Sequence, residues 1–221
     1  MLSLISFMAL ALVLGFKHSY DSDHLIAVSN ILRKVDSVKS SIRVGLSWAL
    51  GHMLTATIVT IALFIFKESF LDNVLPHFEK IAGLMLIALG ILSLRDFFSF
   101  HSHMHSHGSI VHLHPHIHIK KHKDKSHSHI HMFGIGIVHG IASNDELLIL
   151  FTASLAVTSL GGLIMALGLF SLGVALGMAF FTIVFSYPLI KLHSEKIYKL
   201  VSFGTGSLGM VYGALMLLAI V

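Results

Sequence analysis

The chain has 221 residues, of which 55% are hydrophobic and only 12% are Asp, Glu, Lys or Arg. That charged share is about half of what a soluble globular domain carries, and the mean hydropathy is +0.84. A water-soluble fold of this size has no polar coat large enough to hide so much apolar surface. The composition therefore excludes an ordinary soluble enzyme, a nucleic-acid-binding module and a disordered chain, and it points to a polytopic helical membrane protein. There is no cysteine, which removes disulfide scaffolds, thiolate zinc sites and thiol relays. Histidine is the anomaly: of 18, 12 lie between His101 and His131.

A membrane-crossing helix needs about 20 apolar residues. In chain order the hydropathy predicts six spans, at about 2–32, 42–66, 79–98, 133–158, 162–190 and 197–220. Residues 1–16 carry no basic leader and the helical pattern runs on past Lys17, so they read as part of the first span and not as a signal peptide. The basic residues set the orientation. The loop after span 1 holds Arg33, Lys34, Lys39 and Arg43. The loop after span 3 holds Arg95, Lys120, Lys121, Lys123 and Lys125, and the loop after span 5 holds Lys191, Lys196 and Lys199. Those odd-numbered loops thus carry 12 of the 15 Lys and Arg. By the positive-inside rule they face the cytoplasm, with both termini outside a multi-pass plasma-membrane protein. The pI of 9.4 follows from these loop charges, so no nucleic-acid partner is needed to explain it.

The two halves share an order of short motifs. Asp23-His24-Leu25-Ile26 matches Asp145-Glu146-Leu147-Leu148. Ala49-Leu50-Gly51-His52 matches Ala175-Leu176-Gly177-Met178. Lys80 to Gly90 repeats as Lys199 to Gly209, with the same i, i+10 spacing in each pair. Two units of three spans must insert with opposite orientation, which is the inverted-repeat plan of secondary transporters. The expected fold is an all-α polytopic membrane protein: a three-helix repeat over 1–98, a His-rich loop over 99–132, and a second three-helix repeat over 133–221.

Ionisable groups cost about 2.5–3.5 kcal/mol each at the bilayer centre on insertion scales, so they mark candidate sites. Span 1 holds Lys17, His18, Asp21, Asp23 and His24; span 2 holds His52; span 4 holds His139, Asp145 and Glu146. On a continuous helix His18, Asp21 and His24 fall at about 0°, −60° and −120°, on one face, while Asp23 points about 140° away. Two imidazoles and a carboxylate make a half-site for a divalent metal. If the helix breaks near Ser19–Ser22, Asp23 can join them. Lys17 and Asp21, at i and i+4, can also simply neutralise each other. Asp145 and Glu146 diverge on a helix, so only one is expected to face the site, with His139 as a partner for the other.

The run Phe16-Lys17-His18-Ser19-Tyr20-Asp21-Ser22-Asp23-His24-Leu25-Ile26-Ala27 resembles the signature of the nickel/cobalt transporter family, and Gly51-His52 with Thr55 resembles that family's Gly-His motif on the next helix. The strong match covers about residues 15–60. It implies a permease for Ni2+ and Co2+ whose His and Asp residues bind the ion. The second half departs from the pattern: Gly177-Met178 is followed by Ala179-Phe180-Phe181, with no acid.

The loop carries His101, His103, His105, His107, His112, His114, His116, His118, His122, His127, His129 and His131. Alternation at i, i+2 builds no helix face, and the hydrophilic segment reads as a flexible chain able to wrap a cation. A linker alone does not need so many imidazoles. The chain is thus expected to be a carrier and not an enzyme. Its partners are divalent metal ions and the bilayer, homo-oligomers are compatible with its Gly-rich last span, and it has no cofactor beyond the transported Ni2+ or Co2+, with Zn2+ as the next candidate. The alternatives are a carrier of similar layout for another divalent metal or a small organic solute, and, behind it, a His-metal membrane enzyme. No H-E-x-x-H box and no G-x-x-x-x-G-K-[ST] loop is present.

Overall fold

The computed structural model describes residues 4–66, 75–99, 101–107, 110–116, 127–142, 160–192 and 194–218. Within them lie seven helices: α1 Leu4–His18, α2 Ser22–Leu32, α3 Val38–Phe66, α4 Leu75–Ser99, α5 His127–Ala142, α6 Leu160–Leu192 and α7 Glu195–Leu217. Two strands, β1 His101–His107 and β2 Ile110–His116, pair antiparallel between α4 and α5.

Four helices contain stretches long and apolar enough to cross a membrane: Val38–Val59, Glu79–Phe98, Ile164–Leu192 and Glu195–Leu217. They correspond to the predicted spans 2, 3, 5 and 6. The chain is thus all-α in its membrane part and polytopic. Predicted span 1 is two helices, α1 and α2. Of predicted span 4 the described part ends at Ala142, so Asp145 and Glu146 lie outside the described residues. Helix α5 also starts at His127, six residues before the expected boundary. The segment read as a flexible wrap contains a strand pair, because the i, i+2 alternation that fails as a helix face is the period of a strand.

The surface is inverted relative to a soluble protein. Leu50, Leu200 and Val211 are 66%, 70% and 58% exposed, while His18, His24, His52 and His139 are fully buried. Interhelical contacts are made by hydroxyls, as expected where apolar contact with lipid and with protein is equivalent. Ser186 Oγ donates to Ser41 Oγ at 2.7 Å. Ser93 Oγ donates to the Ser202 carbonyl at 2.8 Å and lies 3.2 Å from Thr205 Oγ1.

Helix α1 packs on α6, α3 on both α5 and α6, and α4 on α7. The α3–α5 contact is backbone on backbone. A Cβ added at Gly51, Gly136 or Gly140 would run into the carbonyl oxygen of Phe133, Trp48 or His52 respectively. An apolar cluster including Phe7, Val44, Trp48, Met132, Phe170 and Met178 fills the space between these helices. At the far end of α2, Arg33 Nη2 and Lys34 Nζ each lie 2.6 Å from Asp96 Oδ2 of α4. Arg33 Nη1 also donates to the Tyr198 hydroxyl of α7 at 3.0 Å. Loop-charge counting had read Arg33 and Lys34 only as orientation signals; the structure gives them a carboxylate that ties three helices together.

Gly136→Val is expected to cost about 1–3 kcal/mol, as overpacking does. Gly134→Ala is expected to be near neutral, because a Cβ there meets nothing within 4 Å. Thermal unfolding of the two variants in detergent checks the contrast.

Candidate metal centre

The site starts from a helix that stops. Ser19, Asp21 and Ser22 carry side chains that compete with backbone hydrogen bonding, which disfavours helix continuation. Asp21 adopts an extended backbone, φ −63° and ψ 146°, and restarts the chain as the N-cap of α2. The carbonyls left over at the end of α1 find local donors. Tyr20 N–H bonds the Lys17 carbonyl at 2.9 Å and Asp21 N–H bonds the His18 carbonyl at 3.1 Å. Ser19 Oγ donates to the Phe16 carbonyl at 2.7 Å. A broken helix inside a membrane is tolerated where its backbone groups are re-satisfied in this way.

The break turns His24 back toward His18. His24 Nδ1 donates to the His18 carbonyl at 2.9 Å, and a carbonyl can only accept. The proton on His24 therefore sits on Nδ1, and its Nε2 carries the lone pair. Asp21 does not cap α2 with its side chain. Its Oδ2 instead accepts a hydrogen bond from His18 Nδ1–H at 2.9 Å, leaving the His18 lone pair on Nε2. His52 comes from α3, and its Nε2 stands 3.0 Å from His18 Nε2. One nitrogen from each of His18, His24 and His52 lies within 4.8 Å of the others. Imidazole–metal bonds run about 2.0–2.1 Å, so two nitrogens at right angles on one ion stand about 3.0 Å apart. The His18–His52 spacing matches that figure.

The carboxylates are placed around this group. Asp21 orients His18, the carboxylate–imidazole arrangement that fixes tautomer and ring angle in metal sites. Lys17 Nζ is 3.7 Å from Asp21 Oδ1 and 63% exposed, so the expected neutralising pair is present on the outer side. Asp23, in the first turn of α2, is buried, with Oδ2 3.6 Å from His24 Nε2. The expected single face of His18, Asp21 and His24 on one continuous helix is not what forms. The alternative with a break near Ser19–Ser22 is, and it draws Asp23 in.

The second half contributes His139 of α5. Trp48 Nε1 donates to His139 Nδ1 at 3.4 Å. The His139 and His24 rings are 5.7 Å apart between centroids. His139 Nε2 is buried and finds no hydrogen-bond partner among the described residues. Trp48 went unnoticed in the sequence. It stacks on His52 at 4.9 Å and 17°, and meets His24 edge-on at 4.7 Å. The signal was available: it is the only tryptophan, one helical turn before His52. Phe170 of α6 also closes the site, 5.5 Å from the His18 ring. Of the loop histidines, His101, His103, His105, His107, His112, His114 and His116 lie on the strands and His127, His129 and His131 on α5. His118 and His122 lie outside the described residues.

No family model and no solved structure matches the chain. Known proteins do. The chain is 29% identical over 216 residues to the urease accessory protein UreH of Bacillus sp. (strain TB-90), covering 95% of this chain and 90% of that one. Over 94 residues it is 31% identical to the nickel transporter NixA of Staphylococcus aureus, covering 38% of this chain and 28% of the transporter. A segment of the same length is 29% identical to the high-affinity nickel-transport protein NixA of Helicobacter pylori, with the same coverage. With the Lys17–His24 run and the Gly51-His52 pair, the chain is thus similar to a urease accessory protein over most of its length and to nickel transporters over part of it.

Proposed function

We propose that the chain is a secondary transporter for a divalent transition-metal cation, Ni2+ or Co2+, with its ion site at His18, His24 and His52. The observation that carries this reading is the buried group of three imidazole nitrogens at a break in the first span. Imidazole suits Ni2+, Co2+ and Zn2+, and carboxylates add the negative charge that a dehydrated dication needs. The broken helix helps electrostatically. The C-terminal end of α1, where His18 sits, carries a partial negative charge, and the N-terminus of α2 is complemented by Asp21 and Asp23. The names of the relatives, an accessory protein and nickel transporters and not enzymes, support nickel as cargo and a carrier as the machine.

In this reading the two units are residues 1–98 and 133–221, six spans in all, joined by the His-rich segment on the cytoplasmic side. The helix pairing supports an inverted repeat. Exchanging the halves turns the α1–α6 contact into the α3–α5 contact and the α4–α7 contact into itself. A Cβ built on Gly209 would lie 3.3 Å from the Cα of Gly90, its sequence match in the other half. Matched residues that touch each other are what a two-fold axis between the halves requires. The ion sits where α1, α2 and α3 meet α5 and α6, so rocking of one unit against the other opens it to alternate sides. Asp145, Glu146 and His139 are the second half's candidates for carrying protons or completing the shell. Charge balance then comes from those groups or from the membrane potential.

The test is ion flux into proteoliposomes, with Ni2+, Co2+, Zn2+ and Mn2+ compared with and without a pH gradient, in both orientations. Saturable Ni2+ or Co2+ flux is expected, and it should disappear in His18→Ala and His52→Ala. Undiminished flux in the His18→Ala/His24→Ala double variant would sink the reading. Flux of an organic solute that competes with no metal would move it to the other carrier class. Asp21→Asn keeps all three imidazoles but loses the carboxylate that orients His18. It is expected to weaken Co2+ binding by about 10–100-fold, the usual cost of such a support. Absorbance titration of Co2+ checks this in protein whose loop histidines are replaced by Asn.

A further inference from the structure

The His-rich segment has a register. Strand β1 pairs with β2 so that His101 is opposite His116, His103 opposite His114, and His105 opposite His112; His107 is opposite Ile110. Successive residues of a strand alternate between faces, and directly opposite residues share a face. All seven histidines of the two strands therefore occupy one face of the ribbon. Ser102, Met104, Ser106, Val111, Leu113 and Pro115 occupy the other. A slip of the pairing by one residue would set every histidine opposite a non-histidine, whereas the observed register matches imidazole to imidazole at three positions. The connection itself is two residues, Gly108-Ser109. Glycine first in a two-residue loop is the sequence signature of a type II′ hairpin turn. Pairing and turn chemistry are independent indications of the same hairpin.

A lone two-stranded ribbon is marginal in water. Its directly opposite Cβ atoms are about 4.5–5.5 Å apart, a separation from which two imidazoles can reach one ion. We propose that residues 101–116 form a metal-stapled β-hairpin, in which the rungs His101/His116, His103/His114 and His105/His112 bind divalent transition-metal ions across the strands. The ligand class is a borderline cation that favours nitrogen, such as Ni2+, Co2+ or Zn2+; hard cations such as Mg2+ prefer oxygen. Ion occupancy then decides whether the two strands are held together. This couples local metal load to the order of the segment that links α4 to α5. The proposal shares with the transport reading only the premise that the segment contacts metal, and it does not depend on transport through span 1.

The chain has no cysteine, so labelling sites can be added without background. The full-length protein in detergent, carrying His18→Ala to silence the intramembrane site, is spin-labelled at Met104→Cys and Leu113→Cys. These positions are opposite each other on the face without histidine. Electron paramagnetic resonance distances are read during titration with Zn2+, which is diamagnetic, and with Mg2+ as control. A broad distribution that Zn2+ collapses to one short distance, with Mg2+ inert, is the expected result. A distribution still broad at saturating Zn2+ overturns the hairpin, and a single short distance before any metal overturns the stapling.

A second measurement compares two double variants by calorimetric Zn2+ titration in the same His18→Ala protein. His103→Ala/His114→Ala deletes one rung, and His103→Ala/His112→Ala halves two. The diagonal pair is expected to bind about tenfold more weakly, since it loses a ligand from each of two ions. Equal losses mean a flexible wrap, in which only the number of imidazoles counts. Either result stands apart from the flux experiment, where the span-1 variants decide.

Discussion

The hydrogen bond from His24 Nδ1 to the His18 carbonyl is the contact on which the centre depends. That carbonyl accepts two bonds at the break, from Asp21 N–H at 3.1 Å and from His24 Nδ1, where a continuous helix would give it the backbone N–H four residues on. The break thus does three things with one set of atoms. It folds His24 back onto His18. It fixes the His24 tautomer, with the lone pair on Nε2. It also releases Asp21 from helix geometry, so that its carboxylate reaches His18 Nδ1 at 2.9 Å.

Around that core the packing is tight for a reason that follows from the solvent. Lipid offers no hydrophobic gain for helix association, so close backbone approach and buried hydroxyl contacts hold the helices. The glycines of the α3–α5 contact let His52 and His139 come near His24, with Trp48 filling the gap between them. The same α3–α5 seam therefore sets both the stability of the bundle and the distance between the first half's histidines and the second half's. The Arg33–Asp96–Tyr198 cluster, at the far end of α2 from the break, anchors that helix to α4 and α7.

Much of this was legible in the residues. Composition led directly to a polytopic membrane protein, because apolar content and missing charge do not depend on tertiary contacts. The polar string His18–His24 stood out because ionisable groups are costly in a span. The role of Trp48 was not legible, because an aromatic in an apolar helix looks like any other packing residue until its partner is known. Asp96 was missed for a related reason: one acid near the end of a span is ordinary unless Arg33 and Lys34 are known to be beside it. The strand pairing of the His-rich segment was hidden by treating alternation only as failed helix periodicity.

By itself the sequence determined a polytopic helical membrane protein, the rough limits of four of its spans, the polar string of span 1 and a resemblance to the nickel/cobalt transporter family. These follow from hydropathy, local spacing and residue chemistry, which are properties of short stretches of chain. Only the tertiary structure decided that span 1 is broken and not continuous, that His52 joins His18 and His24 while His139 stands beside them, and that Asp21 orients His18 while Asp23 approaches His24. Those outcomes turn on which carbonyl accepts which proton and on how closely two backbones approach. Distances of that kind are set between elements far apart in the chain, and no local pattern encodes them.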